Sequence, residues 1–528
     1  MPTVEMMEDQ TLGDYLEQTC SQFLNNSAYF CNNRTLSFDQ LEKKSRRLAH
    51  WFQTVAKLDE GDRVAIQLPN INEYPIVVFA ALRVGLVVVN TNPLYTTREM
   101  KHQFNDSGVK AIVILDELSP KLSEIIEETE IKNVITVCVN DFYDFNNDNE
   151  KYAYLYPVTT LVDIINGYLP ENLISPQTKP SDIAIIQYTG GTTGVSKGAC
   201  LTHKNILSNV DQINDRLKQR RVIGKDIFVC PLPLYHIYAF TINMMYVAGT
   251  GGLNLLIKKP QDVNEFLNAM KKHAFTSFVG INSLFVSLCA DSRFRELDFS
   301  HLKLTMSGGA TLTSSVVDIW RETTGIVITE AYGLSETSPV ATYNIPGKEE
   351  IGTVGQAVIN TDVHIIDPDD NRLPSGQEGE IIIRGPQVMK GYWQSPVETK
   401  NAFTSDGFFK TGDIGVIQPS GAIKIVDRIK DMILVSGFNV YPNEIENILT
   451  NNDAVMEAAV IGKPCIKTGE SVWAYITISK DITIDEITSY CKEFLTPYKV
   501  PKHILIVDSL PKSTVGKILR RELRDTQK

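Results

Sequence analysis

At 528 residues the chain is too long for one ordinary core, so two or more domains are expected. With 43% apolar and 22% charged residues it reads as globular. Its formal net charge of −12 argues against a nucleic-acid binder and against broad adhesion to an anionic membrane, though a local patch could still touch one. The start, "MPTVEMMEDQ", has neither a basic nor an apolar leader region, so export is not expected. The first third alternates strand-like runs ("DRVAIQLP", "GLVVVNTNP", "AIVILD", "NVITVCV") with amphipathic helical stretches. In "FDQLEKKSRRLAHWF", Leu41, Ser45, Leu48 and Phe52 recur at helical spacing. That alternation predicts an α/β fold with helix-covered sheets. The polar segment at 139–157 reads as a surface excursion.

Residues 188–198, "YTGGTTGVSKG", follow the apolar run "IAIIQ" and hold four glycines, three threonines and one lysine. A P-loop would need GxxxxGK followed by Ser or Thr, but Lys197 is followed by Gly198. No helix starts directly after the loop, because "GACL" intervenes before Thr202, which reads as a helix cap. The remaining readings are an ordinary turn, or a nest of backbone amides around anionic oxygens. In the second, Thr189, Thr192 and Thr193 add hydroxyls and Lys197 a mobile positive charge.

Residues 227–257 lack Asp, Glu, Lys and Arg, but "CPLPLYH" and "GTGG" interrupt the run, which predicts buried segments instead of a membrane span. From 351 to 428 short strands and turn signals predict a compact β subdomain. Near "DRIKD" the large domain gives way to a small α+β domain, in which Pro442 suits a first helical turn. The eight cysteines are scattered without a CxxC pair, which suits reduced thiols and argues against structural zinc.

Five segments occur in order: "YTGGTTGVSKG", "YGLSETSP" (332–339), "TGD" (411–413), "DRIKDMILVSGFNVYPNEIE" (427–446) and "PKSTVGKILRREL" (511–523). Together they resemble the acyl-adenylate-forming enzymes: acyl-CoA synthetases, luciferases and adenylation domains. "PLPLYHIYAFTIN" and "GPQVMKGYW" look most like the bacterial long-chain fatty acid–CoA ligases. The resemblance implies a large AMP-binding domain (1–428, with 351–428 β-rich), a hinge (429–431) and a small mobile domain (432–528). It also implies a two-step reaction in which a carboxylate attacks the α-phosphorus of ATP and the CoA thiol then attacks the acyl carbon. Chemically, positive charge must be aimed where two anions meet.

By motif position, Thr189, Gly190, Gly191, Thr192, Thr193, Gly194 and Lys197 would hold the ATP phosphates. Thr192 and Glu336 would hold Mg²⁺. Tyr332 would stack on adenine beside Gly309, Ala310, Gly333 and Ser335, and Asp413 with Arg428 would take the ribose. Lys517 resembles the family's catalytic lysine, and His236 is expected to position the acyl and phosphate groups. Lys430 sits at the hinge, and Ser436, Gly437 and Asn439 along the CoA path, where Gly437 would be small because a tunnel wall has no room. Ala331 replaces a frequent glycine, and Phe408 a usual tryptophan. Leu434 stands where hydroxycinnamate–CoA ligases and beetle luciferases carry lysine, which pulls the reading away from both. The alternatives are a medium-chain or aryl acid–CoA ligase, an acyl-AMP ligase feeding a carrier, a luciferase-like oxidoreductase and a nucleotide-binding scaffold. The expected partners are ATP, fatty acid and CoA in the cytoplasm, with peripheral contact at the inner face of a membrane and a homodimer left open.

Overall fold

The computed structural model describes residues 10–138, 157–168, 170, 172–189, 196–310, 312–513 and 516–525. Most of the predicted surface excursion at 139–157 lies outside them. The four strand-like runs of the first third are the strands Arg63–Gln67, Val87–Asn90, Val109–Leu115 and Asn133–Val137. They run parallel and are buried almost throughout. Near-continuous β-branched sequence suits that setting, because both faces of a parallel sheet are covered by helices. The helix Phe38–Thr54 starts at a capping box between Ser37 and Gln40 and buries Leu41, Ser45, Leu48 and Phe52, the stripe its spacing foretold. Each fully buried Leu or Phe contributes about 1.5–3 kcal/mol, so this face outweighs the helix's modest intrinsic propensity.

Two large sheets build the N-terminal domain. In the eight-stranded one, Val87–Asn90 is flanked by Arg63–Gln67 and by Ile183–Thr189, which turns back antiparallel into Lys197–Thr202. The short strand Gly391–Tyr392 closes that edge. In the nine-stranded sheet, Ile227–Cys230, Ser277–Gly280, Leu304–Ser307 and Ile328–Gly333 lie parallel in that order. The uncharged run 227–257 is a strand, a helical segment over Ile237–Gly249 and the strand Leu253–Leu256, nearly all buried. Across Phe240–Tyr246 the helix widens to π-type turns. No helix among the described residues is long and apolar enough to cross a membrane.

The β subdomain is an antiparallel sheet of Asp362–Ile366, Gly379–Arg384, Phe409–Ile417 and Ile423–Arg428. Phe408 is fully buried there, with the guanidinium groups of Arg384 and Arg372 4.3 and 5.0 Å from its ring centre. A single turn at Ile429–Asp431 then leads into the small domain. Its sheet runs Phe438–Val440, Ile433–Val435, Gly469–Ile478, Val455–Cys465, with His503–Ile506 beside Gly469–Ile478. Val440, Ile445, Leu449, Val460, Ile476 and Ile487 form a core separate from that of the large domain. The helix Pro442–Thr450 begins with proline in its first turn, as expected from its fixed φ.

Candidate active site

The strand Phe409–Ile417 pairs with Ile423–Arg428 so that Asp413 faces Arg428 across the ladder. Arg428 Nε donates to Asp413 Oδ1 at 2.9 Å, and the Tyr332 hydroxyl donates to Asp413 Oδ2 at 2.7 Å. Asp413 is buried and held on both oxygens, so its position is fixed in advance of any ligand. Tyr332 comes from Ile328–Gly333, the last parallel strand of the nine-stranded sheet, and is thereby anchored at its hydroxyl end. Gly333 follows because a Cβ there would lie 1.7 Å from the carbonyl oxygen of Pro339. Gly309 adopts a φ of +81°, a left-handed conformation that favours glycine, just after the strand Leu304–Ser307. Ala310 is half-buried beside it.

Glu336 is buried in the turn Ser335–Thr337, and burial pushes its carboxyl upward in pKa. The Tyr392 hydroxyl donates to Glu336 Oε1 at 2.9 Å. Tyr392 is delivered by the short strand that pairs with Lys197–Thr202. Lys197 sits 5.5 Å from the centre of the Tyr392 ring and forms an ion pair with Glu398. Lys197 is therefore not the unattached charge the sequence suggested, because an acid two hundred residues away holds it. Thr189 ends the strand before the glycine loop, in register with Lys197. Gly190, Gly191, Thr192, Thr193 and Gly194 lie outside the described residues.

Thr202 caps the helix His203–Leu217 and accepts from Asn205 N, while Lys197 begins a strand. The loop therefore leads from strand to strand, unlike a P-loop. His236 caps the next helical segment, its Nδ1 accepting from Tyr238 N at 3.3 Å. An accepting Nδ1 leaves the proton of the neutral ring on Nε2. Burial, reinforced by the charge of Lys517, pulls the His236 pKa down to about 4, so the ring is neutral at physiological pH.

Lys517 arrives from the small domain. Its turn is closed by Ser513 N donating to Lys517 O at 2.8 Å and by Lys517 N donating to Ser513 Oγ at 3.1 Å. Gly516 before it presses on the large domain: Ser283 Oγ donates to Gly516 O at 3.4 Å, and a Cβ would lie 2.3 Å from Ile281 Cδ1. The ammonium lies between the two domains, in a cleft still reached by water. Enclosure, with Arg428, Arg520 and Lys430 outweighing Asp413, lowers its pKa to about 8. The structure thus brings together Lys517, His236, Asp413, Arg428, Tyr332 and Glu336, with Lys430 close enough to feel Asp413 and Glu336.

Ser436, Gly437 and Asn439 are not in this cluster. They are exposed on the hairpin Ile433–Val440. Gly437 needs glycine here for a different reason from the one expected. Its φ is +85° with open space around it, and Ser436 before it also has a positive φ of 52°. The turn, and not a crowded wall, sets the requirement in this arrangement.

Sequence reasoning missed Tyr392 and Glu398, although "MKGYW" had been singled out. It also missed Asp427 and Asn443, which join the domains: Asn443 N donates to Asp427 Oδ2 at 2.8 Å. Glu330, two residues before Tyr332 and so on the same strand face, is pushed up to about 8 by burial. Among the described residues no cluster of three His, Cys, Asp or Glu could hold a metal ion. A magnesium ion carried largely by nucleotide phosphates and one carboxylate needs no such cluster. Glu336 suits it, as a buried carboxylate short of positive charge.

A family model described as AMP-binding enzyme matches residues 16–393, and one described as AMP-binding enzyme C-terminal domain matches residues 444–517. The long-chain-fatty-acid–CoA ligase of Escherichia coli O6:H1 is 42% identical over 532 residues, covering 98% of this chain and 94% of the relative. The ATP-bound structure of MatB from Rhodopseudomonas palustris is 29% identical and superposes with a TM-score of 0.86 over 98% of this chain and 99% of that one. The apo structure of the same protein, over the same 98% and 99%, gives 0.76. With both domains matched in order and a relative this close along nearly its whole length, the chain belongs to the AMP-binding enzyme family.

Proposed function

We propose that the chain is an AMP-forming long-chain fatty acid–CoA ligase, converting ATP, fatty acid and CoA to acyl-CoA, AMP and diphosphate through an acyl-AMP intermediate. The observation that carries the reading is Lys517, brought by the small domain within electrostatic reach of Arg428, Asp413 and His236 of the large one. In the first half-reaction a fatty carboxylate attacks the α-phosphorus and the bond to the β-bridging oxygen breaks. Two anions must approach, and the Lys517 ammonium offsets their repulsion. Asp413 and Arg428 take the ribose hydroxyls, and Tyr332 together with residues 307–310 takes the base. His236, neutral, orients the acid by a hydrogen bond and is not assigned proton transfer. Lys197 and the 188–198 loop hold the β- and γ-phosphates. Glu336 and Thr192 would hold Mg²⁺, which would supply further charge neutralisation at the phosphates.

In the second half-reaction the CoA thiolate attacks the acyl carbon and AMP leaves. We assign residues 1–428 to the large domain, 429–431 to the hinge and 432–528 to a small domain that rotates between the steps. Rotation would carry Ser436, Gly437 and Asn439 to the pantetheine path. The higher likeness to an ATP-bound relative than to its apo form supports reading this arrangement as the adenylating one. The reading includes a cytoplasmic location and leaves the homodimer open, which light scattering after gel filtration decides. Specificity is tested by diphosphate release with saturated acids from hexanoate to octadecanoate, with and without CoA. Release peaking at the long acids supports the proposal, whereas a peak at medium-chain or aryl acids would replace the substrate class.

A further inference from the structure

The helix His203–Leu217 carries three carboxamides at helical spacing, Asn205, Asn209 and Gln212, which share one face. All three are buried, beside the apolar stripe of Ile206, Val210 and Ile213. A buried carboxamide is costly unless bonded, and each of these is bonded toward a segment that carries a site residue. Asn209 Nδ2 donates to Val340 O at 2.7 Å, and Asn209 Oδ1 accepts from Val340 N at 3.0 Å. Both polar groups of one residue are thus held as a neighbouring strand would hold them. Val340 lies four residues beyond Glu336. Gln212 Oε1 accepts from the same Asn209 amide at 2.8 Å, and Gln212 Nε2 donates to Gln387 Oε1 at 3.1 Å. Asn205 Nδ2 donates to Pro386 O at 2.7 Å and to Val388 O at 2.9 Å. The strap 386–392 then reaches Glu336 twice. Met389 N donates to Glu336 O at 2.7 Å, and the Tyr392 hydroxyl donates to Glu336 Oε1 at 2.9 Å.

We propose that Asn205, Asn209 and Gln212 are positioning residues for the Glu336 carboxylate, acting through residue 340 on one side and the strap 386–392 on the other. Apolar side chains on this face would serve packing alone. Carboxamides add direction, because a hydrogen bond fixes distance and angle where an apolar contact does not. Glu336 is buried in a turn of three residues, so its oxygens go where the main chain around it is held. A carboxylate that meets a hard cation at short range tolerates little displacement. Groups that orient a metal-binding carboxylate typically contribute about 10- to 100-fold in affinity. The inference rests on the proposed function in taking Glu336 as the magnesium carboxylate.

The test is calorimetric titration of the full chain with α,β-methylene-ATP, which cannot release diphosphate, once with Mg²⁺ and once with a chelator. The ratio of the two dissociation constants isolates the metal's contribution without turnover. Asn209→Leu should lower that ratio by about tenfold or more and leave metal-free binding within about twofold. In a Glu336→Gln background, where the ratio is already lowered, the same substitution should add less than about twofold, because the carboxylate it orients is gone. In diphosphate-release assays the Mg²⁺ concentration for half-maximal rate should rise, while KM for hexadecanoate stays within about twofold. If Asn209→Leu does not fold, Gln212→Leu, which leaves the Val340 contact in place, goes through the same cycle with the same expected direction. An unchanged ratio in the folded variant, or an equal fall in both backgrounds, would overturn the inference and leave Glu336 as the metal carboxylate. A wild type with no gain from Mg²⁺, or Glu336→Gln with the full gain, would overturn it together with the metal assignment. A wild type that shows the gain yet turns over no acid would remove only the ligase reading, and the ratios would still decide the positioning role.

Discussion

Lys517 is under two demands that oppose each other. In the proposed reaction bridging two anions requires its charge, while its enclosure and its cationic neighbours bring its pKa down to about 8. The ammonium is therefore present below that value and lost as pH rises through it. Because kcat/KM reports the free enzyme, kcat/KM for ATP should fall above about pH 8. Lys517→Arg should remove that alkaline limb even if overall activity drops, because a guanidinium keeps its charge. Lys517→Ala should lower acyl-AMP formation by roughly 100- to 1,000-fold, the usual effect of losing one charge-stabilising donor. Conversion of supplied acyl-AMP to acyl-CoA should stay within about twofold, since in the proposed reaction Lys517 acts only where charge accumulates at phosphorus. Equal loss in both half-reactions, followed by thin-layer separation of AMP and acyl-CoA, would contradict the assignment. Motif order in the sequence pointed to Lys517, Arg428 and Glu336 inside long segments and to Asp413 in the short "TGD", and the structure places these four near one another. Tyr392 and Glu398 escaped, because their role exists only once Gly391–Tyr392 pairs with Lys197–Thr202. No local pattern encodes that pairing.

At the scale of elements, the approach of the small domain to the large one works through Gly516. A side chain there would press into Ile281 and Ser283, and its φ of +70° adds backbone strain. Gly516→Val should therefore keep the small domain folded yet disfavour this closed arrangement, lowering adenylation about tenfold or more, since small displacements of catalytic groups are costly. Stopped-assay measurement of diphosphate release checks it. Lys430→Pro addresses the other end of the cycle. The single turn at Ile429–Asp431 can accept a fixed φ, but a different backbone state at that position cannot. Adenylate should form normally and thioester formation should fail; normal overall turnover would remove the hinge. Arg520 is the structural counterpart. It donates to both Glu446 oxygens, at 3.1 and 2.7 Å, and pairs with Asp431 at 3.4 Å, while Arg524 holds Asp431 at 2.7 Å. Arg520→Ala should cost about 3 kcal/mol of small-domain stability, because it leaves the largely buried Glu446 carboxylate without its cation while Asp431 keeps Arg524, and a thermal melt reads this directly. The strands and helices themselves were plain in the sequence wherever apolar spacing was strong, as over 38–54 and 62–69. The widened turns at Phe240–Tyr246 were not, because an uncharged run carries no periodicity to distinguish helix types.

For the whole molecule, the account requires the two domains to share one reaction centre in this arrangement and to separate for the next step. The centre is assembled from strands of three different sheets and a turn of the small domain, joined by Asn443 on Asp427 and Gly516 on Ser283. Domain order could be inferred from composition and motifs, whereas the interface could not, since it depends on contacts between residues that lie far apart along the chain. The measurement that bears most directly on this is exchange of labelled diphosphate into ATP with hexadecanoate and no CoA. It isolates the step in which large-domain nucleotide residues and Lys517 act together. The account predicts acid-dependent exchange in the wild type and its near abolition in Lys517→Ala. Exchange that survives loss of the Lys517 amine, or a wild type that exchanges nothing with any carboxylic acid, would contradict it.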